Sequence, residues 1–108
     1  MARSDCASIL ASTGLPVVYH KWPVGSTPTF PCIRYTSDGA DDFHADNYNY
    51  SKVDRWSATL VSDWKDDASE ALIENALDAA HVSYYKAPDY YDDTEQLNHV
   101  EYTFELPR

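Results

Sequence analysis

The feature that most constrains the fold is an alternating stretch, KVDRWSATLVS, at residues 52–62. Trp56, Ala58 and Leu60 occupy every second position, with Ser57 and Thr59 between them. A period of two is typical of a β-strand that presents one face to a core. The sequence therefore predicts a strand whose Trp56–Ala58–Leu60 face points into the core.

Two other stretches have helical spacing. The first extends from about residue 4 to residue 13, where Gly14 and Pro16 end it. The second extends from about residue 66 to residue 80, and aspartates crowd its start, as suits capping. Its predicted apolar stripe includes Leu72, Ile73 and Leu77, whereas the spacing of Glu70, Glu74 and Asp78 predicts a solvent-facing side.

Shorter apolar runs predict further strands at residues 16–22, 32–37, 82–88 and 98–107. Residues 89–96, DYYDDTEQ, are interpreted as a turn-rich stretch. Two helices and a mostly antiparallel sheet of four to five strands predict an α+β fold, and the length of 108 residues fits one domain, 1–108.

Residues 38–51 keep neither a period of two nor a helical period. A loop of this length in a small domain is usually functional or mobile. It combines acidic residues with aromatic rings, and such a mixture is typical of interaction surfaces. We therefore expect a long interface loop at about residues 38–51.

Aromatic residues outside this loop extend the candidate surface, since Trp22 lies in a proline-rich stretch and Tyr90 and Tyr91 in the turn-rich one. About half of the loop aromatics could instead fold back against the domain. The predicted protein-interface residues are Trp22, Asp42, Phe43, His44, Asp46, Asn47, Tyr48, Tyr50, Tyr90 and Tyr91.

Known signatures of catalysis and metal binding are weak. The four histidines form no H-x-x-x-H pair, and DGADDFHAD lacks the ligand order of a calcium loop. The three glycines are scattered singly, and no serine or cysteine stands in a nucleophile motif. We expect no enzyme activity, no metal and no cofactor.

The net charge of −10 disfavours nucleic acid and anionic membranes as direct partners. Most of the net negative charge lies in residues 38–50 and 89–101, whereas the first third of the chain is slightly basic. Such a charge asymmetry suits self-assembly into a ring.

No signal peptide or membrane-spanning run is expected, and Cys6 and Cys32 are expected to be reduced, buried thiols of a cytoplasmic protein.

Four stretches carry a resemblance over nearly the whole chain: TGLPVVYHKWPVGSTPTFPCIRY, DDFHADNYNYSKVDRWSATLVSDWKD, EALIENALDAAHVSYYK and DTEQLNHVEYTFEL. Their pattern resembles the tail completion, or tail terminator, proteins of long-tailed bacteriophages and prophages. The residues that carry the resemblance best are Asp42, Phe43, Ala45, Asp46, Asn47, Tyr50, Glu95, Leu97, Glu101 and Tyr102.

That resemblance implies a ring, commonly of six copies, at the head-proximal end of the virion tail. The ring would stop growth of the tail tube and offer a docking face to the head–tail connector. The implied partners are other copies of the chain, the tail tube protein and the connector.

The alternative function is that of an acidic inhibitor that mimics DNA and blocks a host nuclease or restriction enzyme. The net charge of the chain favours this alternative, and the clustering of that charge disfavours it.

Overall fold

The alternating stretch forms the middle strand of a sheet in the computed structural model, which describes residues 2–19, 30–40, 43–45, 48–51, 53–94 and 96–107. Over these residues the chain forms two helices and eight strands. The helices are α1 (Ala2–Ala11) and α2 (Asp67–Ala79). The strands are β1 (Val17–Tyr19), β2 (Cys32–Ala40), β3 (Phe43–Ala45), β4 (Tyr48–Ser51), β5 (Val53–Ser62), β6 (Tyr84–Lys86), β7 (Tyr90–Asp92) and β8 (Leu97–Pro107).

The main sheet has the order β1-β2-β5-β8-β6, and β7 also pairs with β8 beyond the end of β6. Only β1 and β2 are parallel among the described strand pairs of this sheet. The α+β class with a mostly antiparallel sheet and two helices is thus confirmed. The sheet has six strands rather than four to five, because DYYDDTEQ contains β7.

The core lies between the helices and one face of the sheet, here called the inner face. Trp56, Ala58 and Leu60 are buried there, as predicted. Helix α1 contributes Cys6 and Leu10 to the same cluster. Its other main members are Ile33, Tyr35, Ile73, Leu77, Val100, Tyr102, Phe104 and Leu106. Burial of these side chains is the main source of stability for a domain of this size.

The opposite side of the sheet, here called the outer face, carries the alternate residues of each strand. Ser57, Thr59 and Val61 of β5 project there, and each retains only about 8% exposure. The helices therefore pack on the inner face of the sheet, while the outer face combines small and charged side chains with the exposed rings of Tyr85 and Tyr90.

Helix α2 corrects two predictions. Leu72, predicted in the apolar stripe, is 43% exposed, and Glu70, predicted on the solvent-facing side, is only 3% exposed. The helix begins after Asp66, whose side chain accepts a hydrogen bond from the Ser69 N–H at 3.0 Å. That cap confirms the predicted role of an aspartate at the helix start.

The expected loop at about residues 38–51 also differs from the structure. Strand β2 continues to Ala40, and β3 pairs with β4 in a separate two-stranded sheet. The register shifts between Phe43 and His44 and again between Ser37 and Ala40, where Gly39 has a φ of +98°. Such irregularities shift the side-chain alternation, which is why no period of two is visible in the sequence.

Candidate functional site

Strand β7 separates the two tyrosines that the sequence groups together. Tyr90 pairs with His99 and Tyr91 with Asn98, so their side chains project to opposite faces of the sheet. Tyr90 is 61% exposed and stacks on the His99 ring at 4.9 Å between centroids. Both tyrosines are exposed, but they belong to two different surfaces.

Tyr91 forms an exposed aromatic pair with a residue that is absent from the predicted interface. Its ring meets that of Trp64 edge to face, with centroids 5.2 Å apart. Trp64 is 69% exposed and Tyr91 38%. We call Trp64 and Tyr91 the aromatic patch. A large exposed ring pair is unusual on a solvated surface and is typical of a protein contact site.

The sequence analysis did not predict Trp64 as an interface residue, because its neighbours indicate a different role. It stands between Asp63 and Lys65 in an aspartate-rich segment, which indicates a helix start more strongly than an interface. One signal could have found it: a lone tryptophan in the short connection between a strand and a helix has no obvious place in the core. Ser62 Oγ donates a hydrogen bond of 2.5 Å to the Trp64 carbonyl and fixes this connection.

An ion-pair network centred on the buried carboxylate of Glu70 lies beside the aromatic patch. Glu70 Oε2 is 2.8 Å from Lys65 Nζ, and Glu70 Oε1 is 2.7 Å from Lys86 Nζ. Lys65 Nζ also lies 3.6 Å from a carboxylate oxygen of Asp89. Lys65 follows Trp64, and Asp89 stands two residues before Tyr91. The network therefore ties the segment that carries Trp64 to the segment that carries Tyr91.

Glu74 extends the network along α2. It accepts hydrogen bonds from Lys86 Nζ at 3.0 Å, from the Tyr102 hydroxyl at 2.8 Å and from the Tyr84 hydroxyl at 3.3 Å. Partial burial opposes its ionisation, but the bonds from Lys86 and Tyr102 outweigh this effect and lower the pKa of Glu74. The carboxylates of Glu70 and Glu74 are thereby held in ion pairs with lysines.

The pKa values of the donors move in the corresponding directions. Hydrogen bonds to Glu70 and Glu74 raise the pKa of Lys86, and burial together with the bond to Glu74 raises the pKa of Tyr102. Both donors therefore keep their protons around neutral pH. The network joins α2 to β6 and β8.

A groove lies elsewhere, at the end of the sheet where α1 and the segment after α2 meet β6 and β8. Its volume is about 900 Å³, and Ile9, Val82, Phe104 and Leu106 contribute apolar lining. Asp5, Arg55 and His81 contribute charged or titratable side chains. Neither Tyr90 nor Tyr91 lines this groove.

Within the described ranges, no group of three or more His, Cys, Asp or Glu side chains is placed to hold a metal ion. No helix in the described part of the chain is long and apolar enough to cross a membrane.

The remaining predicted interface residues fall into two sets. Phe43 and His44 lie in β3, and Tyr48 and Tyr50 lie in β4. The other predictions lie outside the described residues, namely Trp22, Asp42, Asp46 and Asn47. Their part in an interface stays a prediction.

No protein-family model and no curated protein sequence matches this chain.

Proposed function

We propose that the protein is a structural tail terminator of a long-tailed bacteriophage, a ring subunit that caps the head-proximal end of the tail tube. The sequence resemblance suggests this role, and the aromatic patch is the observation that supports it best. Trp64 and Tyr91 are exposed on a domain whose core is complete without them. They are anchors that a neighbouring protein could cover.

The ion-pair network suits a docking surface. An aromatic anchor binds well when little conformational freedom is lost on association. The contacts of Glu70 with Lys65 and Lys86 restrict the segments on either side of the patch before any partner arrives. A ring repeats each such contact around its axis, so that a modest patch on each subunit gives strong total binding.

The proposed partners are other copies of the chain, the tail tube protein and the head–tail connector, and the proposed location is the virion tail. No catalytic step is part of this role. The paired strands β3 and β4, which contain Phe43, Ala45 and Tyr50 of the residues that carry the resemblance best, are the second proposed contact region, beside the aromatic patch.

The DNA-mimic alternative has weaker support. Such an inhibitor displays carboxylates at phosphate-like spacing to a basic protein surface. Along α2, however, Glu70 is buried against two lysines, and Glu74 is paired with Lys86. These two carboxylates are neutralised locally, which leaves helix α2 poorly suited to imitate a DNA backbone.

The deciding experiment is a capping assay on purified tail tubes, with electron microscopy of tube ends and measurement of tube length. Wild-type protein should bind one end, form rings there and stop elongation. Trp64→Ala should reduce capping by at least about tenfold. Truncating a central aromatic anchor to alanine typically costs about 2 kcal/mol or more of binding free energy. Tyr85→Ala is a matched control, because Tyr85 is 66% exposed on β6 and outside the patch.

Wild-type protein that neither caps tubes nor forms rings would contradict the proposal. Equal capping by Trp64→Ala and wild type would contradict the role of the patch alone. Salt-sensitive inhibition of a DNA-binding enzyme, in the absence of capping, would favour the DNA mimic.

A further inference from the structure

Carboxylates flank both rings of the aromatic patch. The two stretches that supply these rings, residues 63–70 and 86–93, contain seven acidic residues, two lysines and no arginine. Asp63 directly precedes one ring of the patch, and Asp93 stands two residues after the other. Both aspartates are exposed. The patch therefore belongs to a surface region of strongly negative charge.

The two lysines of this region do not cancel its charge. Lys65 and Lys86 each form ion pairs with at least two carboxylates of the domain. Asp63 and Asp93, by contrast, form no ion pair with any residue of the described ranges. Each of these two aspartates thus offers a negative charge that a basic partner could neutralise.

Trp64 offers the kind of surface that a cation prefers. The face of an indole ring attracts a guanidinium or ammonium group more strongly than the other aromatic side chains do. Trp64 is 69% exposed and meets Tyr91 edge to face, so much of the Trp64 ring stays open to a partner. Arginine suits this site better than lysine, because its planar guanidinium stacks on a ring while it donates hydrogen bonds to a carboxylate.

We infer that the aromatic patch binds a basic segment of a partner protein, with an arginine stacked on Trp64 and further basic residues neutralising Asp63 and Asp93. This inference rests on the proposed function, which makes the patch a contact site, and it adds the chemistry of the partner. The rings supply the apolar contact, and the carboxylates supply the attraction. The segment that fits carries two or more basic residues, at least one of them an arginine.

The charge of the region disfavours other occupants of the patch. A second copy placed patch to patch would set two acidic regions against each other, and two chains of net charge −10 repel at a distance. Nucleic acid and anionic membranes are repelled for the same reason. An apolar partner would dehydrate the exposed carboxylates without compensating them. Within the proposed role, the partner at the patch is therefore the tail tube protein or the connector.

The test is the binding of short fluorescent peptides, measured by fluorescence anisotropy without tail tubes. The first probe alternates glycine with arginine, and its counterparts carry lysine, glutamate or leucine in place of arginine. The arginine probe should bind best, the lysine probe more weakly, and the other two not measurably. Trp64→Ala should weaken binding of the arginine probe by about three- to thirtyfold, and Trp64→Phe should weaken it less.

Two matched acids separate the patch from the net charge of the chain. Asp93→Asn should weaken binding of the arginine probe by about two- to fivefold, because it removes a counter-charge of the patch. Asp78→Asn removes the same charge from an exposed position of helix α2 outside the patch, and it should leave binding nearly unchanged. Urea unfolding followed by circular dichroism establishes that each variant is folded.

Several results would overturn the inference. These are no binding of the arginine probe, equal binding by wild type and Trp64→Ala, and equal effects of Asp93→Asn and Asp78→Asn. A dimer of the free protein in light scattering that Trp64→Ala abolishes would also overturn it, since the patch would then bind a second copy.

The peptide assay and the capping assay fail separately. A protein that caps tail tubes through Trp64 but does not bind the arginine probe would retain the proposed function and overturn the inferred partner chemistry. A protein that binds the probe through Trp64 and Asp93 but caps no tube would support the inferred chemistry and contradict the tail terminator role.

Discussion

Glu70 lies 2.7 Å from the Nζ of Lys86, and this contact joins the first turn of helix α2 to strand β6 at the edge of the sheet. A carboxylate with 3% exposure is costly unless cations compensate for its lost hydration. Lys86 and Lys65 supply two. The contact between Glu70 and Lys86 therefore stabilises the fold. Because Glu70 also contacts Lys65, the residue after Trp64, the same carboxylate helps to position Trp64.

Replacing Glu70 should reveal that dependence. Glu70→Ala leaves Lys65 and Lys86 without their shared partner and should lower the free energy of unfolding by about 2–3 kcal/mol. Both lysines keep access to water, which limits the loss. Asp78→Ala, an exposed acid on the same helix, should change it by no more than about 0.5 kcal/mol. Urea unfolding followed by circular dichroism measures both, and equal effects would contradict a special role for Glu70.

The stability of the protein should decline with acid in a manner that depends on Glu74. Its pKa is lowered in the folded state from an ordinary value of 4.5. The unfolded chain therefore takes up the proton first, and the stabilisation present above 4.5 is lost as the pH falls through the lower, folded value.

Glu74→Gln removes this titration. The variant should be less stable than wild type at neutral pH and should lose less of its stability below about pH 5. Thermal unfolding across that range measures the difference in slope. Parallel curves for the two proteins would show that the hydrogen bonds to Glu74 do not favour its charged form.

Thiol labelling should report on the attachment of helix α1. Cys6 and Cys32 are buried thiols outside any disulfide, and burial raises the pKa of Cys6 to about 12. Little thiolate forms at pH 8, and reagents have no access to it. We expect slow labelling of the native protein and rapid labelling of both thiols in urea. Fast reaction of Cys6 in a Cys32→Ser background would mean that α1 opens readily.

Removal of the segment from residue 42 to residue 50 tests the second proposed contact region. The strands β3 and β4 pair with each other, so a short Gly-Ser connection in their place removes no pair of the main sheet. We expect cooperative urea unfolding with little change in midpoint, together with loss of tube capping. Loss of cooperative unfolding would instead show that this segment is part of the core.

The parts of the fold that could be predicted are those set by local periodicity. The inner face of β5 follows from the alternation of Trp56, Ala58 and Leu60, and helix α2 follows from its spacing and its aspartate cap. Glu70 could not be placed by the same rule, since its two lysines lie in other elements. Periodicity describes one element at a time, whereas burial of a charge depends on what another element brings to it.

The candidate surface shows the same limit. Tyr90 and Tyr91 are recognisable as exposed aromatics, but DYYDDTEQ contains so many turn-forming residues that a three-residue strand is not evident. Without that strand their opposite orientation cannot be deduced. The partnership of Tyr91 with Trp64 depends on β7 lying beside β8, a contact between distant parts of the chain.

The edge formed by β6 and β7 has a consequence for how the protein can polymerise. Each strand has three residues, and Pro88 between them lacks an N–H group. Lys86 and Tyr90 are four positions apart in the sequence, but their partners Tyr102 and His99 are only three positions apart, so one extra residue interrupts the edge. A long incoming strand would find no continuous run of donors and acceptors there. This edge therefore resists open-ended, amyloid-like growth by strand addition.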